Sequence, residues 1–157
     1  MTNELQILIE SLEKKVDILK IILQKSEEQY TVVRKEEFEA ESFDALVNDK
    51  DRLLDEMEKL DGGFDQIFSR IRDDLINHIT DYKSEIARLQ ELIKETTDLG
   101  AQICAMEGRT KNELSDAIFK SRQKLANKKV SAKSVSDYYR VSNNMQVVES
   151  FFLDQKK

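Results

Sequence analysis

Leu5-Gln-Ile-Leu-Ile-Glu-Ser-Leu-Glu-Lys-Lys-Val-Asp-Ile-Leu-Lys-Ile-Ile-Leu23 decides the fold of this chain. Its apolar residues return at alternating intervals of four and three, at Leu5, Ile9, Leu12, Val16, Leu19 and Leu23, and the phase continues through Ser26, Tyr30 and Val33. A helix turns once every 3.6 residues, so this spacing lays the side chains along one face as a heptad seam. Leu8, Ile18 and Ile22 widen the stripe beyond two positions per heptad, which predicts burial against more than one neighbouring helix. A first helix is expected from about Asn3 to Arg34.

Working outward, Lys35-Glu-Glu-Phe-Glu-Ala-Glu41 interrupts the seam with a run of acids and predicts a turn or kink. A second seam runs from Phe43 through Val47, Leu54, Met57, Phe64, Phe68, Ile71 and Leu75 to His78 and Tyr82, with Lys50 and Asp61 as polar interruptions. Gly62-Gly63 costs a helix about 2 kcal/mol relative to two alanines. The seam keeps its phase across the pair, however, which predicts a bend or weak point at Asp61-Gly62-Gly63 and no complete stop. Poor helix formers cluster at Asn77-His-Ile-Thr-Asp81, where a chain reversal is expected, with Thr80 or Asp81 capping a third helix. That helix carries Ile86, Leu89, Ile93, Leu99, Ile103, Met106, Leu114, Ile118 and Leu125. Gly100, Cys104 and Gly108 follow at intervals of four and predict a face of small residues where another helix backbone comes close.

The chain has 157 residues, 36% of them charged, and no proline to break a helix. Leu, Glu, Lys, Gln, Arg and Ala dominate, all strong helix formers. The expected fold is all-α: an elongated antiparallel helical hairpin or bundle with coiled-coil-like packing and an apolar C-terminal segment. Residues 1–129 form the helical domain in this reading. Residues 130–157 are a linker, rich in Ser, Lys and Asn up to Asn144, followed by the apolar segment.

Charge is polarised along the chain. Residues 1–100 hold 25 acids against 14 bases, and residues 101–157 hold 6 acids against 11 bases. Lys120, Arg122, Lys124, Lys128, Lys129 and Lys133 make a basic run, but no aromatic residues interleave it as a single-strand stacking platform requires, so no nucleic-acid partner is expected. A single cysteine, Cys104, forbids an internal disulfide and fits a reducing cytoplasm, where it reads as a small buried hydrophobe. The residues before the first seam show no positive leader, and no apolar run approaches the roughly 20 residues that span a bilayer, so neither a signal peptide nor membrane insertion is expected.

Catalytic chemistry lacks its parts. One histidine and one cysteine cannot make a Cys/His zinc site, and carboxylate-bridged di-iron bundles need two histidines. Gly62, Gly63, Gly100 and Gly108 do not form a phosphate-binding loop. Ser121-Arg-Gln-Lys124 has Ser-x-x-Lys spacing without the companion motifs. His78, followed by Ile-Thr-Asp-Tyr82, lacks the surroundings of a phosphotransfer histidine and reads as a seam or turn residue. No enzyme activity, cofactor or metal is expected.

Four of the eleven aromatic residues fall in the last twenty: Tyr138, Tyr139, Phe151 and Phe152. With Val147, Val148 and Leu153 they define a candidate client-binding surface, the alternative being that they dock on the bundle as core. The acidic helical hairpin pattern, the segment Phe43-Asp-Ala-Leu-Val-Asn-Asp-Lys-Asp-Arg-Leu-Leu-Asp-Glu-Met-Glu-Lys-Leu-Asp61 and the ending Phe151-Phe-Leu-Asp-Gln-Lys-Lys157 together resemble bacterial flagellar export chaperones of the FlgN/FliT type. The resemblance covers most of the chain. It implies a non-enzymatic cytoplasmic chaperone, monomer or homodimer, that binds a hook-filament junction or cap protein, prevents premature assembly and delivers it to the export apparatus. A different class fits the same seams: a structural coiled-coil protein that homo-oligomerises through them.

Overall fold

The computed structural model describes residues 1–123, which form three α-helices and, among the described residues, no strand. Helix α1 spans Thr2–Val33, α2 spans Ala40–Asn77 and α3 spans Lys83–Gln123, with a short 3-10 turn at Ile79–Tyr82 before α3. At the standard rise the three are about 48, 57 and 62 Å long. The acid-rich segment after Val33 is the connection between α1 and α2, where Phe38 packs edge to face on Phe43 with ring centroids 5.9 Å apart. The poor helix formers near His78 mark the second reversal, as their composition predicts.

Cross-helix pairs fix the directions. Lys15 meets Asp61 and Lys25 meets Asp49, so α2 runs antiparallel to α1. Glu13 meets Arg88 and Lys20 meets Glu95, so α3 runs parallel to α1. The result is an up-down-up bundle in which α1 packs against both other helices, while no Cα of α2 comes within 8 Å of one in α3. The broad apolar stripe of α1 is the sequence cause of this central position, because a helix with two neighbours needs more than one seam's width of apolar surface.

Most of the core is one long cluster. Leu5, Leu8, Leu12, Leu19 and Ile22 from α1 meet Leu54, Met57, Phe64, Phe68 and Ile71 from α2 and Leu89, Leu92, Ile93, Leu99 and Ile103 from α3. Each fully buried leucine or isoleucine contributes about 1.5–3 kcal/mol relative to exposure. A second, smaller cluster of Val33, Phe43, Val47, Leu114 and Ala117 closes the end where α1 finishes and α2 begins. Helix α2 runs unbroken through Gly62-Gly63, carried by Phe64 and Phe68, which are buried and stacked with centroids 6.2 Å apart.

The side chains correct three expectations. Cys104 is exposed, not buried, and Gly108 is exposed with open space where a Cβ would stand. The inward positions of this stretch of α3 are Leu99, Ile103, Glu107, Thr110, Leu114 and Ala117, so Cys104 and Gly108 each follow an inward residue by one step, about 100° around the helix. The small-residue face therefore admits no close helix neighbour at Cys104 and Gly108, although Gly100 is buried. On α1, Tyr30 is only half-buried and Gln29 takes the inward position. The expected linker and the apolar segment beyond it lie outside the described residues.

Candidate functional site

Two features of the bundle go beyond packing: a polar layer inside it and an apolar groove outside it. The layer lies between the two apolar clusters and draws on all three helices. Lys50, 5% exposed, sends its ammonium to Gln29 Oε1 at 2.8 Å and to Glu107 Oε1, joining α2 to both α1 and α3. The Ser26 hydroxyl is 2.8 Å from the Ile22 carbonyl and 3.0 Å from Glu107 Oε1, so its one proton serves either acceptor. Gln29 Nε2, Glu107 Oε2 and Thr110 Oγ1 are buried without a hydrogen-bond partner among the described residues. Burial pushes the Glu107 carboxyl above the ordinary glutamate range, opposed by the Lys50 charge and by hydrogen bonds from Lys50 and Ser26. A buried pair of this kind adds little net stability, because the cost of taking two charges out of water offsets much of their attraction, whereas separating the two leaves each buried and unpaired.

The groove runs along the outer side of α1 and α2. One depression of about 200 Å³ is lined by Ile7, Leu8, Leu60, Phe64, Ile67 and Gly63, together with Glu10, Ser11, Lys14 and Lys59. A second, of about 490 Å³, is lined by Ile18, Leu60, Lys14, Lys59, Asp17 and Glu56. Lys14, Lys59 and Leu60 belong to both, so the depressions join there. Ile7 and Ile21 are 48% and 42% exposed. On α1 the positions 7, 14, 18 and 21 fall within about 60° of arc, so Ile21 extends the stripe past the second depression. Gly63 leaves the space beside it open, with nothing within 4 Å of where its Cβ would be. Lys15, nearly buried, holds Asp61 at 2.8 Å and pins α1 to α2 close to the groove.

Among the described residues no group of His, Cys, Asp and Glu has the arrangement of a metal site. His78 is exposed at the end of α2 with Nδ1 2.9 Å from the Asp74 carbonyl, a turn position. No helix of the described residues is long and apolar enough to cross a membrane. The candidate client-binding residues Tyr138, Tyr139, Val147, Val148, Phe151, Phe152 and Leu153 lie outside the described residues. The groove has a sequence signal the seam reading did not use. Ile7 and Ile21 are isoleucines outside the main seam, two heptads apart, with Ile18 close to them in angle.

Comparison with known protein families, curated proteins and solved structures finds no match to this chain.

Proposed function

We propose that the chain is a flagellar export chaperone of the FlgN/FliT type. It is a non-enzymatic cytoplasmic protein that binds a hook-filament junction or cap protein, keeps it from assembling and hands it to the export apparatus. The observation that carries this reading is the α1–α2 groove, where a bundle with its seams already buried still presents isoleucines to solvent beside an open channel. A client's amphipathic helix lays its apolar face into such a groove through anchors at i, i+3, i+4 and i+7. The sequence resemblance over residues 43–61 and 151–157 supplies the identity of the client class. Tyr138, Tyr139, Val147, Val148, Phe151, Phe152 and Leu153 belong to the same reading as a second client-binding element or as a segment that docks on the bundle.

The competing reading, a homo-oligomeric coiled coil, needs seams free to meet other copies. Leu5, Leu12, Leu19, Leu54 and Met57 are instead spent within one chain. Co-purification from the native cells, with partners identified by mass, tests the choice. A one-to-one complex with a junction or cap protein supports the chaperone, and assemblies of this chain alone that grow with concentration support the coiled coil.

A further inference from the structure

We infer that the α1–α2 groove takes a partner protein's amphipathic helix whose apolar face carries a central carboxylate. This deepens the proposed function by naming the binding face and the chemistry of the client helix. It rests on that reading only for the helix's source.

The charge pattern of the groove carries the inference. Lys14 from α1 and Lys59 from α2 both line the two depressions and so stand where these join. Neither takes part in an ion pair within 4.0 Å among the described residues, although the surrounding helices are rich in such pairs. Acids stand to either side along the groove: Glu10 by the first depression, Asp17 and Glu56 by the second. A cationic centre between acidic ends is complemented by a helix with an acid at its middle and bases toward its ends. The isoleucine stripe from Ile7 to Ile21 is about 21 Å long, room for about four helical turns.

A second copy of this chain is the wrong occupant on the same grounds. A two-fold axis through the groove's centre sets Lys14 and Lys59 beside their own equivalents, a like-charge meeting that a helix with a central acid does not face.

The test uses the full-length chain, isotope-labelled at its isoleucine methyls, and two synthetic 18-residue helices. Both peptides carry the same leucine face. One has a pair of glutamates at its centre and the other a pair of lysines. At low salt the glutamate peptide is expected to bind at least tenfold more tightly and to shift the methyls of Ile7, Ile18, Ile21 and Ile67. The double substitution Lys14→Glu with Lys59→Glu is expected to reverse the preference. Equal binding of both peptides, no binding, or shifts confined to α3 would overturn the inference. So would two results on the chain alone: a dimer by sedimentation that protects these methyls, which makes a second copy the occupant, or contacts from Ile21 to Phe151 or Phe152, which make the chain's own C-terminus the occupant. The peptide result does not depend on which protein co-purifies, so the site and the client class fail separately.

Discussion

Helix α1 has two faces made of the same residue type with opposite fates. Ile9 and Ile22 are buried between α2 and α3, while Ile7, beside the outer groove, and Ile21, just beyond it, stand about half exposed. The inner face is continuous with a core reaching from Leu5 to Ile103, and its side chains hold the fold. Among the described residues the outer isoleucines have no comparable partners, so within the bundle the stability they add is small and their surface is open to another segment or molecule. Hydrophobic spacing marks the inner face, and the outer isoleucines stand apart from it only once the neighbouring helices are in place.

Substitutions that break this contrast differ in size. Lys50→Met has the largest expected effect, a loss of about 3–5 kcal/mol by chemical denaturation, because Glu107 is then left buried without its cation. Lys50→Met combined with Glu107→Leu is expected to recover most of that loss, and a double variant as unstable as the single one would refute the pairing. Ile22→Ala, on the inner face, is expected to cost about 2–5 kcal/mol, whereas Ile21→Asp, one residue away on the outer face, is expected to cost about 1 kcal/mol. Equal losses for the two would erase the distinction between the faces.

The glycines sharpen the comparison further. Neither Gly62 nor Gly63 meets any atom within 4 Å at the Cβ position, so alanine at either is expected to stabilise α2 by about 1 kcal/mol. Only Gly63 lines the groove. Gly63→Ala is therefore expected to raise the melting temperature and weaken helix binding, and Gly62→Ala to raise it with binding unchanged. The smallest effect is in pH. The folded Glu107 carboxyl holds its proton more firmly than the unfolded one, so folding takes up a proton between the ordinary glutamate range and the raised value. Stability contributed by this group is greatest below that window and declines as pH rises through it, and Glu107→Gln is expected to flatten that decline in a pH series of denaturation curves.

Much of this was legible from spacing. The seam from Leu5 to Val33, the stripe broadened by Leu8, Ile18 and Ile22, and the reversals after Val33 and near His78 all correspond to elements of the bundle, because each is a local pattern with a local cause. Lys50 was legible only as an interruption. Its partner Glu107 lies 57 residues away, and a periodicity carries no information about which polar residues meet across helices. Cys104 read as a buried small residue because its neighbours Ile103 and Ala105 are apolar, yet the inward phase runs through Ile103 and Glu107, leaving Cys104 on the solvent side. The groove was not read from the sequence: Ile7 and Ile21 recur outside the seam, and the open space beside Gly63 exists only once α1 and α2 are set against each other.

The most direct test of the account compares the full-length chain with a variant carrying Ile7→Asp and Ile21→Asp, both confirmed folded by their denaturation midpoints, as bait in the native cells. The account predicts that the unaltered chain retains a flagellar junction or cap protein at one-to-one stoichiometry and that the variant loses it while remaining folded. Retention of the same partner by the variant would contradict the assignment of binding to the outer face of α1, and an unaltered chain that recovers only itself would contradict the chaperone.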